Sequence, residues 1–321
     1  MPSMSRTAIA CVLVATVCAW AAPSTPATQP SNDSANPMAR FARVLRDADG
    51  SGTFQTSTVS YRNANGVTVD LIGAVHVGAR RYYQALNREF ATYQTVLYEL
   101  IVYDKDEKPE KPTSAPPPPA SFWDKSMQRH LAEWLNLDEQ LDWVDYTPAH
   151  FVHADVDVKG LDELHEKEYG TGAEAAGKVL GEGIAQGLRA NFHPPPVGPM
   201  DLIDVMRVGP DQMSRRRALV AKVMSADLGA FGDDAVIVGR RNRVAMEKLK
   251  ELLAQSSSKR IAIFYGAAHL PGMEKILTEE LGFKPIDAPP RWRDAWTFGP
   301  ITSIVATTRP AQVPASQPSN R

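Results

Sequence analysis

Two segments of this chain follow one pattern, in which an apolar strand runs into a glycine and then a histidine. Residues 69–76 read VDLIGAVH and residues 261–269 read IAIFYGAAH, and a stretch with helical spacing follows each of them. A strand, a glycine turn and a helix form the repeating unit of parallel α/β sheets, which bind ligands at the carboxyl ends of their strands. The pattern therefore predicts an α/β fold with His76 and His269 at that edge.

A carboxylate is predicted to reach the same edge of the sheet. An apolar strand at 67–72, a helical stripe at 80–93 and a second apolar strand at 95–102 form a βαβ unit. Because the crossover in such a unit is right-handed, the two strands run parallel. Glu99, the one acid in the second strand, then projects from a carboxyl end, as His76 does.

Helical spacing dominates the middle of the chain, in stretches at 120–141, 160–169, 172–190, 214–228 and 243–253. The last part repeats the opening order, with a helix expected at 272–281 and a returning strand at 296–307. The whole pattern predicts an α/β fold whose central sheet is mixed but largely parallel and flanked by helices, with a helical middle segment.

Residues 1–22 have the pattern of a secretory signal peptide. Arg6 gives a positively charged start, residues 8–22 are apolar, and small residues around Ala21 fit a cleavage site. We therefore expect export to the periplasm or the cell exterior, with no integral membrane span in the mature chain. A lipoprotein signal ending at Cys18 is the alternative.

Cysteine usage limits the chemistry of the mature chain. The two cysteines, Cys11 and Cys18, both lie in the predicted signal peptide. A chain that has lost this segment has no disulfide, no thiol nucleophile and no thiolate ligand. A bound metal would have to use His, Asp, Glu and water.

The remaining chain is interpreted as one α/β domain at 51–307 that carries a low-complexity insertion at 104–120. The insertion is rich in proline and is expected to form an exposed loop or a lid over the site. Segments rich in Pro, Ser and Thr at 23–50 and 308–321 are predicted to be a disordered tether and a disordered tail.

The net charge of the chain argues against nucleic acid as a partner and does not indicate an oligomeric state. The formal net charge is -2 and the chain has no polybasic run, which argues against a nucleic-acid partner. A hydrolase at the predicted sheet edge would act on a peptide or a small acyl substrate. Nothing in the residues sets the oligomeric state.

Two histidines and a carboxylate at one edge can act in two ways. His76, Glu99 and His269 offer the imidazole and carboxylate ligands that divalent manganese, cobalt or zinc accepts where thiolates are absent. Such a metal would activate water and polarise a carbonyl group. Without a metal, the same three residues could act as general base and general acid.

Three segments together resemble the TraB/PrgY/GumN family, which includes the TIKI membrane-associated metalloproteases that cleave Wnt proteins. They are GAVHV at 73–77, VLYEL at 96–100 and GAAHLPG at 266–272, and the resemblance extends over 54–307 apart from the insertion. It implies an α/β core of the erythromycin-esterase (EreA) and ChaN-like type. It also implies a peptidase-like, metal-dependent hydrolase, with manganese or cobalt in the TIKI branch.

The resemblance also assigns the site residues. It implies that His76, Glu99 and His269 are the catalytic and metal-binding residues, and that Gly73 and Gly266 are the motif glycines. Other members of the family suggest two alternatives, a PrgY-like protein that sequesters a peptide signal without cleaving it and a ChaN-like protein that binds haem or metal.

A fourth segment matches the family with one departure. Relatives often have a Glu-Arg-Asn stretch before the last motif, and here Arg241 and Asn242 match but Arg240 replaces the acid. These two residues either cap a helix and form a surface salt bridge or lie beside the site, for example to bind a substrate carboxylate.

The segment at 150–155 leaves a similar choice. On a helix, His150 and His153 would share a face, so that His153 could supply a ligand and Asp155 could orient one. Alternatively, Asp155 starts the helix and the histidines pack or face solvent. Residues 215–217, three consecutive arginines, are interpreted as a solvated helix face.

Overall fold

The computed structural model describes residues 36–102, 109, 111–112, 127–170, 199–226, 236–255 and 257–301. The predicted signal peptide, the tail, the helical stretch at 172–190 and nearly all of the insertion lie outside the described residues.

The central sheet has eight strands: β1 (Ala42–Arg46), β2 (Gly52–Arg62), β3 (Thr68–Ala74), β5 (Thr95–Tyr98), β7 (Phe151–His153), β8 (Arg260–Gly266), β9 (Lys284–Pro285) and β10 (Arg291–Phe298). Two short strands form a separate antiparallel pair: β4 (Val77–Gly78) and β6 (Asp138–Glu139). The described helices are α1 (Arg80–Phe90), α2 (Met127–Leu135), α3 (Val158–Tyr169), α4 (Pro199–Met206), α5 (Gln212–Ser225), α6 (Val236–Gln255) and α7 (Leu270–Lys275).

The sheet is mixed, and its parallel part positions the candidate site. Strands follow the order β1-β2-β3-β8-β5-β7, and β9 and β10 also pair with β2. The four neighbours β3, β8, β5 and β7 are parallel, whereas β2 is antiparallel to all of its partners. The predicted α/β class with a mixed, partly parallel sheet is therefore confirmed, and four carboxyl ends lie side by side.

Both faces of the parallel strands are covered, which explains why β8 is apolar at nearly every position. Phe264 belongs to a buried cluster with Phe90 of α1, whereas Ile263 belongs to a second cluster with Leu249 of α6. Neighbouring residues of one strand thus enter opposite cores. A strand buried on both faces reads as a continuous apolar run instead of an alternating one.

Several boundaries differ from those predicted. The prediction of a disordered tether at 23–50 is wrong for the second half of this segment, because Phe41 is fully buried and β1 pairs with β2. The strand predicted at 95–102 ends at Tyr98. The helix predicted from residue 243 starts at Val236, and the one predicted at 272–281 starts at Leu270 and ends as a π-helical turn.

Two predictions of local structure are wrong. The segment of His150 and His153 is not helical, because β7 pairs with β5 in parallel register, with Tyr98 opposite His153. Arg215 is buried and not solvated, because its guanidinium donates to the Asp204 carbonyl oxygen at 2.6 Å and ties α4 to α5. Among the described residues, no helix combines the length and apolar character needed to cross a membrane.

The contact between α1 and the sheet gives a test of this packing. The ring of Phe90 lies 4.7 Å from that of Phe264 and 5.4 Å from that of Phe151, measured between centroids. Phe90→Ala is expected to lower the free energy of unfolding by about 3–5 kcal/mol, because it leaves a cavity between helix and sheet. Urea denaturation measures this, with Gln84→Ala on the exposed face of α1 as the control, expected to change stability by less than about 0.5 kcal/mol. Equal effects of the two changes would contradict the packing described.

Candidate functional site

Glu99 follows β5 and reaches across to the neighbouring strand β8. Its Oε2 accepts a hydrogen bond from the Gly266 N–H at 2.6 Å. Its Oε1 accepts one from Nη2 of Arg241 at 2.7 Å. The pairing of β5 with β8 brings these groups together, because the Glu99 N–H itself continues the ladder to the Phe264 carbonyl oxygen. Both oxygens of this nearly buried carboxylate are therefore bonded.

The two motif glycines are favoured by close approach of neighbouring atoms and not by backbone conformation. Gly266 has an extended backbone that any residue can adopt (φ -49°, ψ 132°). A Cβ at this position would lie 3.2 Å from Oε2 of Glu99. A Cβ on Gly73 would lie 3.3 Å from the carbonyl oxygens of Phe41 and Ser57. Each glycine thus lets another chain segment lie directly against the end of its strand.

His269 ends the turn after β8, and Asn242 fixes its tautomer. The Asn242 amide Nδ2 donates to the His269 carbonyl oxygen at 3.2 Å, which leaves Oδ1 of the amide 2.6 Å from Nδ1 of the imidazole. Because an amide oxygen can only accept, Nδ1 carries the hydrogen. In the neutral imidazole, Nε2 is then an unprotonated acceptor.

The acceptor nitrogen of His269 faces two charged groups. Nε2 lies 3.4 Å from Oε1 of Glu99 and 3.5 Å from Nη1 of Arg241. The edge-on ring of Tyr265, with its centroid 5.3 Å from that of the imidazole, packs against the same side chain. The imidazole is therefore held by contacts around its ring and is only 6 % exposed.

Arg241 joins the carboxylates of two neighbouring strands. From α6 it donates through Nε to Oδ1 of Asp155 at 3.0 Å and through Nη2 to Oδ2 at 2.6 Å. Asp155 follows β7 and is buried, and it does not start α3, whose N-cap is Asp157. Arg241, Asn242 and Asp155 therefore all lie within the cluster around Glu99 and His269. Arg241 and Asn242 do not cap a helix, because both lie inside α6.

His76 lies beside this cluster without bonding to it. Its side chain is exposed, and its carbonyl oxygen accepts a hydrogen bond from the Gln140 N–H at 2.8 Å. It follows β3, the parallel neighbour of β8, so it leaves the sheet at the same edge as Glu99 and His269. The three residues predicted for the site therefore meet at one sheet edge, with His76 as the exposed member.

His153 lies outside the cluster, contrary to the role considered for it. Its Nε2 bonds the Leu100 carbonyl oxygen at 2.6 Å, and its ring packs against that of Tyr98. His150 Nε2 lies 3.3 Å from the Phe90 carbonyl oxygen. Both histidines therefore bond backbone groups near β5 instead of contributing to the site.

Burial and neighbouring charges move two pKa values in the cluster. Burial alone would raise the pKa of Glu99, but the charge that His269 carries when it is protonated in acid and the permanent charge of Arg241 outweigh burial and hold this pKa below its usual value. Burial also lowers the pKa of His269, and the attraction of Glu99 does not offset that effect. At neutral pH the pair is therefore an ionised carboxylate beside a neutral imidazole.

The arrangement does not fit a divalent metal as it stands. Within the described residues, no group of three or more His, Cys, Asp and Glu side chains has an arrangement that could hold a metal ion. The position between Glu99, Asp155 and His269 holds the Arg241 guanidinium instead. The predicted ligand set of His76, Glu99 and His269 therefore lacks the geometry of a metal site here.

Sequence reasoning did not identify two contributions to this site. The Gly266 N–H is a hydrogen-bond donor to Glu99, and Tyr265 packs against His269 while its hydroxyl donates to the Ala154 carbonyl oxygen at 2.6 Å. The only available signal was their position at the end of β8, immediately before the second histidine motif.

The chain was compared with protein-family models, with curated proteins and with solved structures, and none of them matched. The resemblance to the TraB/PrgY/GumN family therefore rests on the three sequence segments and stays a prediction.

The lowered pKa of His269 makes stability depend on pH. The unfolded chain takes up a proton near the ordinary imidazole pKa of about 6.5, whereas the folded chain takes it up only at lower pH. Stability is therefore expected to be full above about pH 7 and to fall below about pH 6.5, by at most about 1.4 kcal/mol per pH unit from this residue. The lowered pKa of Glu99 adds a further loss below its unfolded value near 4.5.

Urea denaturation between pH 8 and pH 5 checks this expectation. His269→Gln should reduce the slope of stability against pH in this range, whereas Gln84→Ala on the exposed face of α1, which removes no titratable group, should keep the slope of the unchanged protein. An unaltered slope in His269→Gln would contradict the assignment.

Proposed function

We propose that this protein hydrolyses an acyl bond in a peptide or a small ester or amide, with His269 as the general base and Glu99 as its charged partner. The observation that carries the proposal is the pair of acceptors at the sheet edge. Asn242 keeps Nε2 of His269 unprotonated, and this nitrogen lies 3.4 Å from the ionised Oε1 of Glu99.

Arg241 donates to Oε1 of Glu99 at 2.7 Å, but its contact with Nε2 of His269 is long, at 3.5 Å, so a substrate water can compete for this nitrogen. A water molecule that displaces this long contact can donate one hydrogen to Nε2 and the other to the second lone pair of Oε1. Such a water is oriented and polarised for attack on a carbonyl carbon. The arrangement therefore favours the metal-free form of the acid–base chemistry that the sequence suggested.

The proposed reaction begins when Nε2 of His269 takes a proton from this water while the water oxygen bonds to the carbonyl carbon. The carbonyl becomes an oxyanion, and the imidazolium that forms is stabilised by the charge of Glu99. When the carbonyl re-forms, the bond to the leaving nitrogen or oxygen breaks and His269 returns its proton to the leaving group. His76, the exposed imidazole of the three, is assigned to substrate contact.

A second candidate is a PrgY-like binding protein that holds a peptide without cleaving it. One observation favours it, namely that both oxygens of Glu99 are already bonded, to Arg241 and to Gly266. A carboxylate so restrained is well suited to a fixed electrostatic role. The experiment that follows separates the two functions, because a bound peptide of unchanged mass indicates sequestration.

The hydrolase proposal is tested with a peptide library and a panel of esters and amides, read by mass spectrometry, without added metal and with manganese, cobalt or zinc. Hydrolysis adds the mass of one water to the products. His269→Gln is expected to lower kcat by about 10²–10⁴-fold, because it removes the general base. Asn242→Ala should lower kcat as well, because the tautomer is no longer fixed.

The matched control is Arg243→Ala, a change on the same helix as Arg241 that breaks an exposed ion pair with Glu280 and should leave turnover unchanged. Full activity of His269→Gln would exclude this residue as the base. Absence of turnover on every substrate under every metal condition would count against the hydrolase and in favour of the binding protein.

We also infer export, from the sequence pattern of residues 1–22. The reaction would then take place in the periplasm or outside the cell. Expression of the full chain in a secreting bacterial host is expected to release a product whose intact mass lacks about the first 22 residues. A product of full-length mass retained in the cytoplasm would contradict this.

A further inference from the structure

The guanidinium of Arg241 lies where three possible metal ligands converge. Its Nη2 is 2.7 Å from Oε1 of Glu99 and 2.6 Å from Oδ2 of Asp155, and its Nη1 is 3.5 Å from Nε2 of His269. We propose that Arg241 is the resident cation of this site, held by two of the three residues that the family resemblance implies as metal ligands, and that a transition-metal ion can enter only when this guanidinium is removed.

Charge balance explains why a cation must occupy this place. The side chain of Asp155 is completely buried and that of Glu99 is 10 % exposed, and both carboxylates border the same small space. Two buried like charges without a cation would be strongly destabilising. Arg241 donates two charge-assisted hydrogen bonds to Asp155 as a bidentate pair and a third to Glu99.

The same donors have the right chemistry for a metal but the wrong spacing. One imidazole nitrogen and two carboxylate oxygens are ligands that zinc, cobalt and manganese accept. Bonds from these donors to a metal are about 2.0–2.2 Å long. Around the Arg241 guanidinium, the carboxylate oxygens and the imidazole nitrogen lie at the longer distances of hydrogen bonds. This spacing suits the planar guanidinium and excludes a metal ion.

A departure in the sequence fits this reading. The family stretch before the last histidine begins with an acid, whereas this chain has Arg240 at that position. The segment that contributes Arg241 and Asn242 thus brings one carboxylate fewer than the resemblance expects. The proposal rests on the geometry of the proposed catalytic site but not on turnover, so that it can be tested without a substrate.

Cobalt provides the probe, because its visible absorption reports the ligands around the ion. We would titrate Co²⁺ into the unchanged protein, Arg241→Ala, the double variant Arg241→Ala/His269→Gln, and the control Arg243→Ala. Arg241→Ala is expected to bind one Co²⁺ per chain, with bands that disappear in the double variant. The unchanged protein and the control should show no band that depends on His269.

Stability gives a second readout. Arg241→Ala leaves Glu99 and Asp155 without their cation, so its urea midpoint is expected to fall below that of the unchanged protein. Each tenfold increase in Co²⁺ or Zn²⁺ above the dissociation constant should raise that midpoint, because the ion binds the folded chain. The midpoint of the unchanged protein should not respond to either ion.

Three results would overturn the proposal. The first is binding of one Co²⁺ by the unchanged protein with bands that His269→Gln abolishes. The second is a folded Arg241→Ala that binds no metal. If Arg241→Ala does not fold alone, both Arg241→Ala and Arg241→Gln are refolded in the presence of Co²⁺. The third result is that neither variant gains structure under these conditions. Since no readout involves turnover, an inactive protein would leave this inference standing.

Discussion

The parallel pairing of β8 with both β3 and β5 is the constraint on which the candidate site depends. It places a strand from the end of the chain between two strands of the first βαβ unit. Because all three point the same way, the residues after them, His76, Glu99 and His269, emerge at one edge. The same pairing brings the Gly266 N–H to Glu99, so a single ladder both supports the core and orients the carboxylate.

Electrostatic balance is the second condition, and it links the fourth parallel strand to the site. β7 contributes Asp155, and α6 covers the strand ends with Arg241. The Arg241 side chain therefore joins α6 to the sheet at the point where the carboxylates of Glu99 and Asp155 lie together. A buried ion pair contributes little net stability by itself, but removal of one member leaves an uncompensated charge, so such a pair strongly favours a single arrangement.

The sequence predicted the ends of the parallel strands better than it predicted the contacts between them. A glycine and a histidine after an apolar run identify a strand end from local pattern and predict His76 and His269, whereas Glu99 is predicted as the one acid in an apolar strand. The roles of Asp155 and Asn242 depend on partners 86 and 27 residues away. No local pattern reports such contacts, and for the same reason the three-residue strand β7 cannot be distinguished by sequence from the helix considered for His150 and His153.

The bonds that hold His269 have opposite consequences for stability and for chemistry. Burial and the Asn242 amide keep the imidazole neutral with its acceptor nitrogen toward Glu99, which is the state a general base needs near neutral pH. The same burial makes protonation unfavourable in the folded chain and therefore reduces stability in acid. A histidine that only stabilised the fold would gain from a full ion pair with Glu99, but Arg241 already occupies that carboxylate. Nε2 of His269 is thus held as an acceptor beside Oε1 of Glu99 and Nη1 of Arg241, and the proposed role of His269 as a general base depends on this property.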